Sequence, residues 1–289
     1  MAAEQLLNAP AHFTEATSAY WQQIVDPAAV PLTGPPWRFA YPARLTDGRV
    51  LMLPIRQLAS EPGHAVASLL LNQAALGVVE VLGTMLASQL KSLGADAVVG
   101  LPTLGLTLAS GVARELGHSR YLPMGYSRKF WYDEALSTPV SSITTPTPGK
   151  RIYLDPHLLP LVQGKRLILI DDAVSSGTTL QAAWDLIESL GAEVLACGVA
   201  MRQGRRWADK IGPQRSARLF GVFDSPLLQA VPDGWVERSE FLAGCELMVG
   251  RPRHSQAGQR AAYRTAPYVP AAIGAALRRR SMPRPGRCA

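Results

Sequence analysis

Residues 167–180 of the chain read LILIDDAVSSGTTL, and this stretch contains the strongest structural signal in the sequence. The apolar run at 167–170 is continuous rather than alternating, which is typical of a strand buried on both faces of a sheet. Asp171 and Asp172 follow it directly, and apolar residues recur at helical spacing over 178–190. The stretch therefore predicts a buried strand, an acidic pair at its end, a short polar loop and a helix.

The segments around this stretch repeat the alternation of strand and helix. Short apolar runs predict further strands at 97–101, 152–154, 194–200 and 219–223, and a helix is predicted at 106–116. Strands that alternate with helices through short loops form parallel sheets covered on both faces. We therefore predict an α/β fold with a doubly wound parallel sheet. In such sheets ligands bind beyond the carboxyl ends of the strands, which is where the acidic pair is expected.

The loop after the acidic pair combines residues that suit a phosphate monoester. Gly177 permits a close backbone approach, neighbouring hydroxyls donate hydrogen bonds, and unpaired amides at a helix start attract an anion. The two carboxylates would repel a phosphate, but they accept hydrogen bonds from neutral hydroxyls or bind a hydrated cation. A ligand with a phosphate at one end and a vicinal diol in the middle meets both demands. Ribose 5-phosphate is such a ligand.

The run at 167–180 resembles the phosphoribosyl-pyrophosphate (PRPP) binding signature of type I phosphoribosyltransferases. The resemblance covers approximately residues 62–225, and the arrangement is most similar to that of the adenine-type members. It implies that the ribose hydroxyls of PRPP contact Asp171 and Asp172, and that the 5-phosphate is surrounded by Ser175, Ser176, Gly177, Thr178 and Thr179. The alternatives are an ordinary capped helix, or the acidic strand ends of response regulators and nucleoside triphosphatases. The sequence contains neither GxxxxGKS/T nor GxGxxG.

A second junction of strand, loop and helix lies about 70 residues earlier in the chain, at 98–106. It resembles the pyrophosphate loop of the same family, and the resemblance assigns pyrophosphate binding to Pro102, Thr103, Leu104 and Gly105. Many members carry Lys or Arg in this loop, where the present chain has Thr103-Leu104. Backbone amides and the Thr103 hydroxyl would therefore have to bind the pyrophosphate. An ordinary strand-to-helix turn is the alternative.

Residues 126–150 are rich in Ser, Thr and Pro and lack apolar periodicity, so they predict a long loop. Arg128 and Lys129 near its start resemble the Arg-Lys pair that serves pyrophosphate in adenine and orotate phosphoribosyltransferases. Mobile cations that close over a departing polyanion would lower the barrier, although a surface Arg-Lys pair is often simply solvated. The aromatic run at 130–132 is costly to expose and is expected to pack against a neighbouring segment or a dimer partner, and stacking of one of these rings on a base is the alternative.

The region that would recognise the base is the least defined. Asp47-Gly48 lies between two strand-like runs and predicts a hairpin at 36–56, which is a candidate for the hood that covers the base in this family. Phe223 is a second candidate because it could stack on a ring, and core packing is the alternative for it. We divide the chain into an N-terminal helical lead-in with hairpin at 1–61, a phosphoribosyltransferase domain at 62–250, and an Arg/Pro-rich tail, expected to be disordered, at 251–289.

Charge and cysteine content argue against several other classes of function. The formal net charge is +7, but residues 251–289 contain nine Arg and no Asp, Glu or Lys, which leaves residues 1–250 at −2. The body shows no helix-turn-helix or basic stretch, so no nucleic-acid partner is expected. Three widely spaced cysteines offer neither a disulfide framework nor metal-ligand spacing. The N-terminus lacks a signal-peptide pattern and no apolar stretch suits a membrane, so we expect a soluble, cytoplasmic protein.

Together these features predict transfer of the 5-phosphoribosyl group of PRPP to a nitrogenous base, which gives a nucleoside 5′-monophosphate and pyrophosphate. Mg²⁺ would be bound mainly through PRPP oxygens and water, with no metal site made by the protein alone. The resemblance also implies a homodimer. A regulator that binds PRPP or a nucleotide without turnover stays open, because the loop at 102–105 has no basic residue. Nucleoside phosphorolysis on the same fold also stays open.

Overall fold

The computed structural model describes residues 20–29, 34–140 and 149–238. The predicted tail at 251–289 and most of the predicted N-terminal lead-in lie outside these residues. The strands, numbered β1 to β13 in chain order, are Ile24–Val25, Ala40–Arg44, Val50–Gln57, His64–Ala67, Ala97–Gly100, Leu122–Gly125, Ser137–Pro139, Arg151–Leu154, Arg166–Val174, Glu193–Gln203, Leu219–Ser225, Leu227–Val231 and Gly234–Glu237. The α-helices, α1 to α4, are Leu76–Leu90, Gly105–Glu115, Thr178–Ser189 and Arg206–Ser216. Short 3-10 turns span Pro27–Ala29, Leu71–Gln73, Lys91–Leu93, Glu134–Leu136 and Pro156–Leu161.

Seven strands form one sheet in the order β11-β10-β9-β5-β6-β8-β7. The strands from β11 to β6 are parallel, whereas β8 runs antiparallel to β6 and β7 runs antiparallel to β8. The predicted α/β fold with a mostly parallel sheet is therefore confirmed. The strand predicted from the run at 167–170 is β9, and it lies in the interior of the sheet between β10 and β5.

The side chains of β9 explain why its sequence is continuously apolar. Ile168 and Ile170 lie in one core cluster, on the face covered by α1 and α2. Leu167 and Leu169 lie in a second cluster on the other face, where Trp184 of α3 joins them. Full burial of each such side chain contributes roughly 1.5–3 kcal/mol to the free energy of unfolding. Because β9 has apolar side chains on both faces, it is most stable in the interior of the sheet. Among the described residues, no helix has the length and apolar content needed to cross a membrane.

The segment at 126–150 was predicted as a loop, and part of it has regular structure instead. A 3-10 turn at Glu134–Leu136 leads into β7, which pairs with β8. Residues 141–148 lie outside the described residues. β7 could not be predicted from the sequence, because a strand of three residues is too short to show a period. Its apolar anchors, Leu136 and Val140, flank the strand rather than lying within it.

A second, antiparallel sheet has the order β1-β3-β4-β12-β13, with β2 paired to β3. The predicted hairpin at 36–56 is present as β2 and β3, joined through Asp47-Gly48, where Gly48 has a φ of +89°. β12 and β13 come from the far end of the described chain and complete this sheet, because β12 pairs with β4 and β13 pairs with β12. The sheet therefore contains strands from both sides of residue 62, and the division of the chain at that residue stays a prediction.

Candidate functional site

The acidic pair lies at the carboxyl edge of the parallel sheet. Asp171 and Asp172 were predicted to follow the strand, but they lie within the last part of β9, because its ladder to β10 continues as far as Val174. Both residues are partly buried. The backbone amide of Asp172 donates a hydrogen bond to Asp171 Oδ1 at 2.9 Å. The two carboxyl groups are thus mounted on a hydrogen-bonded strand rather than on a loop.

The environment of the pair favours the protonated form. Burial raises the pKa of Asp171 well above its usual range, and the negative charge of Asp172 raises it further. Burial also raises the pKa of Asp172, although hydrogen bonds from Asp171 and from backbone amides oppose that rise. Two carboxyl groups in contact resist double ionisation, so the pair retains a proton above the usual carboxyl range. Hydroxyl donors or a cation supplied by a ligand would favour the ionised pair and displace that proton.

The predicted phosphate loop at 175–179 leads from β9 into α3. Gly177, the N-cap of α3, has a φ of 79°, and a Cβ added to it would lie 3.0 Å from the Cα of Trp207 in α4. The positive φ and the close approach both require glycine. Ser176 Oγ accepts a hydrogen bond from the amide of Thr178 at 3.3 Å. The loop therefore places hydroxyls beside the start of a helix, and both hydroxyls and helix-start amides are groups that bind a phosphate.

The predicted pyrophosphate loop at 102–105 touches the acidic pair. It joins β5, the neighbour of β9, to α2. A Cβ on Gly105, the first residue of α2, would lie 2.7 Å from both the Cα and Oδ1 of Asp171. The peptide bond between Pro102 and Thr103 is cis, and Thr103 is exposed. Two segments that are about 70 residues apart in the sequence are therefore in direct contact at one edge of the sheet.

Arg128 and Lys129 follow β6, which is the next strand along the same edge. Arg128 Nη1 lies 3.2 Å from Glu134 Oε2, in an ion pair whose two side chains are at least half exposed. Lys129 is exposed. Arg128 is thus paired with Glu134 rather than with the acidic pair. An exposed pair of this kind contributes roughly 0–1 kcal/mol, so Arg128 could exchange this partner for a ligand at little cost.

The aromatic run at 130–132 divides between solvent and the protein surface. Phe130 is 97% exposed. Trp131 donates a hydrogen bond to Asp155 Oδ2 at 3.3 Å, and the ring centroid of Tyr132 lies 6.1 Å from that of Tyr153 in β8. Two of the three aromatics therefore pack on a neighbouring segment of their own chain. Contact with a dimer partner stays a prediction, and Phe130 is the residue that it concerns most.

Phe223, the candidate for stacking on a base, is a core residue. Its side chain is 2% exposed and belongs to a core cluster that contains residues of both sheets and of α1 and α2. It also forms a β-bridge with Leu45 at the end of β2. The ring is enclosed by protein on both faces and is not available to a base in this structure, so the alternative of core packing describes it.

Tyr126 is a site residue that the sequence analysis did not single out. It follows β6 directly, and burial raises its pKa to about 12, with the charges of Asp171 and Asp172 as further causes. The ammonium nitrogen of Lys150 lies 3.8 Å from the centroid of its ring. The residues of β6 are Leu-Pro-Met-Gly, which lack the alternation or apolar run that would predict a strand. Without that strand, the place of Tyr126 at the carboxyl edge could not be inferred.

An α/β sheet with a hydroxyl-rich loop at a helix start, an acidic pair and a second loop along its carboxyl edge has the arrangement of a ligand-binding α/β protein. The family model described as "Phosphoribosyl transferase domain" matches residues 74–218, which is half of the chain. The chain therefore belongs to this family, and the resemblance noted in the sequence is confirmed. The matched range contains the phosphate loop, the acidic pair and the loop at 102–105.

Similar proteins share this region rather than the full chain. An adenine phosphoribosyltransferase of Methylococcus capsulatus is 35% identical over 101 residues, which are 35% of this chain and 55% of that protein. An amidophosphoribosyltransferase of Staphylococcus aureus is 31% identical over 120 residues, which are 41% of this chain and 23% of that protein. Among solved structures, the adenine phosphoribosyltransferase of Giardia lamblia complexed with 9-deazaadenine is 19% identical, with a TM-score of 0.49, over 60% of this chain and 93% of that chain. The chain thus spans about half the length of the adenine phosphoribosyltransferase from Methylococcus.

Proposed function

We propose that this chain transfers the 5-phosphoribosyl group of PRPP to a nitrogenous base, releasing pyrophosphate and a nucleoside 5′-monophosphate. The observation that supports this most is the direct contact between the loop at 102–105 and Asp171, beside the loop at 175–179. PRPP has a 5-phosphate at one end, a diol in the middle and a pyrophosphate at C1. The three segments offer groups for these three parts, in an order that matches the ligand.

In this proposal the chain acts mainly by positioning its substrate. The amides and hydroxyls of 175–179 bind the 5-phosphate, and the carboxylates of Asp171 and Asp172 accept hydrogen bonds from the ribose hydroxyls. With both ends of the sugar bound, C1 is oriented toward the base nitrogen, and orientation of this kind supplies a large part of the rate. The bond from C1 to pyrophosphate breaks as positive charge develops on the ribose ring. The adjacent carboxylates stabilise that charge, so the chain needs no covalent nucleophile.

A magnesium ion fits this site only in partnership with the substrate. Among the described residues, no group of three or more His, Cys, Asp or Glu side chains is arranged to bind a metal ion. Asp171 and Asp172 could contribute carboxylate oxygens, and Mg²⁺ readily takes its other ligands from phosphate oxygens and water. The ion would neutralise charge on the pyrophosphate group. We therefore propose that Mg²⁺ is bound mainly through PRPP.

The base, the assembly state and the cell compartment are finer parts of the proposal. Several similar proteins are adenine phosphoribosyltransferases, which puts adenine first among the bases to be tested. A homodimer is expected from the family, and the nearly complete exposure of Phe130 is consistent with a contact to a second copy. A cytoplasmic location is expected because the three cysteines are widely spaced and the described one, Cys197, is a buried free thiol.

The test is pyrophosphate release from PRPP and Mg²⁺ across a panel of purine and pyrimidine bases, with adenine included. The control is the double variant Asp171→Asn with Asp172→Asn, which preserves side-chain shape and removes both charges. Release with one class of base, lost in the double variant, is the expected result. No release with any base, combined with measurable PRPP binding, would contradict the transfer reaction.

A second candidate function is a regulator that binds PRPP or a nucleotide without turnover. The specific observation in its favour is the loop at 102–105, which offers pyrophosphate no cationic side chain. A regulator needs to bind its ligand, whereas an enzyme also has to stabilise the leaving group. Binding of PRPP with an unchanged ligand recovered afterwards would favour this candidate over the transferase.

A further inference from the structure

Tyr126 and Lys150 are 24 positions apart in the sequence and are in contact at the carboxyl edge of the parallel sheet. The register of β6 with β8 pairs Gly125 with Tyr153, so the residue that ends β6 and the residue that precedes β8 lie at the same edge. There the ammonium of Lys150 lies 3.8 Å from the centre of the Tyr126 ring. A cation in this position is attracted by the negative face of the ring.

The position of this pair relative to the proposed pyrophosphate subsite follows from the sheet order. β5 lies between β9 and β6, so the loop at 102–105 that follows β5 lies between the acidic pair on one side and Tyr126 on the other. Burial raises the pKa of the Tyr126 phenol, and the negative charges of Asp171 and Asp172 raise it further. At neutral pH the phenol is neutral, and its hydroxyl can donate a hydrogen bond to an anion.

The cations near this edge differ in their availability. Arg128 is paired with Glu134, and Arg151 Nε lies 3.1 Å from the same carboxylate. In the part of the chain that the structure describes, Lys150 has a ring contact but no carboxylate within salt-bridge range. Among these described residues no carboxylate neutralises its charge, and the sequence of the loop at 102–105 contains no cation.

We propose that Lys150, positioned by the ring of Tyr126, binds the pyrophosphate group of PRPP and supplies the positive charge that the loop at 102–105 lacks. The inference rests on the proposed function and concerns the same site. Pyrophosphate leaves C1 with its bonding electron pair, so the negative charge on it increases as the bond breaks. An ammonium group at its far side becomes more favourable in that step, and no bond to Lys150 is made or broken.

The experiment compares three ligands by titration calorimetry with the full chain: PRPP with Mg²⁺, pyrophosphate with Mg²⁺, and ribose 5-phosphate. In Lys150→Met, the affinity for PRPP and for pyrophosphate should fall about 10- to 100-fold, as expected for loss of a charged hydrogen bond. The affinity for ribose 5-phosphate should not change, because that ligand has no group at the Lys150 position. Lys150→Arg should restore most of the pyrophosphate affinity.

Two further variants separate the ring from the charge. Tyr126→Phe retains the ring face and should keep Lys150 in position, whereas Tyr126→Leu removes it and should weaken pyrophosphate binding. Lys91→Met is the matched control, because it removes one positive charge at the end of α1, on the opposite edge of the sheet just before β5. This control should bind all three ligands as the wild type does.

The outcomes distinguish this inference from the proposed function. If the wild type binds neither PRPP nor ribose 5-phosphate, the proposed function is wrong and this inference is wrong with it. If the wild type binds both and Lys150→Met binds pyrophosphate equally well, only the role of Lys150 is refuted. A loss of ribose 5-phosphate affinity as large as the loss of pyrophosphate affinity would also refute it, since the effect would not be specific to the pyrophosphate subsite.

Discussion

Because Gly105 packs directly against Asp171, we predict that a larger residue at position 105 lowers both the free energy of unfolding and the affinity for PRPP. In Gly105→Ala the new Cβ would lie 2.7 Å from the Cα and Oδ1 of Asp171 and 3.0 Å from the carbonyl oxygen of Ile170. Favourable contacts between carbon atoms need a separation of about 3.5–4.0 Å, so α2 or β9 has to move by roughly 1 Å. Such overpacking costs about 1–3 kcal/mol of the free energy of unfolding.

The same helix provides a matched control. Gly111 lies inside α2, and a Cβ added there would meet no heavy atom within 4 Å. Gly111→Ala should therefore increase the free energy of unfolding by about 0.5–1 kcal/mol, because alanine loses less conformational freedom in a helix than glycine does. The two variants make the same chemical change in the same helix, and we expect opposite signs.

Urea unfolding followed by circular dichroism measures the stability difference. A thermal melt should shift by about 2–4 °C for each kcal/mol in a domain of this size. Calorimetry then measures PRPP binding, which should weaken at least tenfold in Gly105→Ala because Asp171 is displaced, and should not change in Gly111→Ala. If Gly105→Ala were as stable as Gly111→Ala and bound PRPP normally, the close packing of α2 on β9 would not be what assembles the site.

Other changes test the acidic pair, the Arg-Lys loop, the core and the tail separately. The pKa values of Asp171 and Asp172 are raised in the folded protein, so between the usual carboxyl range and the raised one the unfolded chain binds fewer protons than the folded chain. The free energy of unfolding should therefore fall as pH rises through that window. Urea titrations of the Asp171→Asn, Asp172→Asn double variant should lose this slope. That double variant should also bind no PRPP while its circular dichroism spectrum is unchanged. Arg128→Ala should lower kcat more than it raises the KM for PRPP, and steady-state kinetics with an unchanged kcat would remove the loop pair from the mechanism. Phe223→Ala should lower the free energy of unfolding by about 3–5 kcal/mol, and a selective rise in the KM for the base at unchanged stability would contradict its core assignment. Deletion of 251–289 should leave pyrophosphate release unaltered, and a large loss would give the tail a role.

The sequence predicted the parts of this protein that depend on neighbours along the chain. The strand, acidic pair, loop and helix at 167–180 are encoded in one run of residues, so the order of elements there was correct. The exact end of the strand was not, because the ladder between β9 and β10 carries Asp171 and Asp172 inside the sheet. Hydrogen bonds from an adjacent strand extended the element beyond its apolar residues, and no pattern within the run could indicate that.

The features that were missed depend on pairing between distant segments. β12 joins β4 in the antiparallel sheet although more than 150 residues separate them, and nothing local marks 227–237 as part of the hairpin region. Phe223 had two open interpretations for a similar reason. Its neighbour Leu45 approaches through a β-bridge from the N-terminal hairpin, and both residues belong to one core cluster whose members are distant in the sequence.

The positive charge at the site also depends on pairing between distant segments rather than on neighbours along the chain. The lack of a basic residue at 102–105 is plain in the sequence, and from that fact alone a weakened catalyst or a regulator follows. In the folded chain, however, the edge that lacks a cation in one loop has Lys150 beside it, brought there by the antiparallel pairing of β8 with β6. A charge that a family usually has in one loop can be supplied from an adjacent strand, because an anion responds to where the charge lies and not to its place in the chain. The absence of a basic residue in that loop is therefore not sufficient evidence against catalysis.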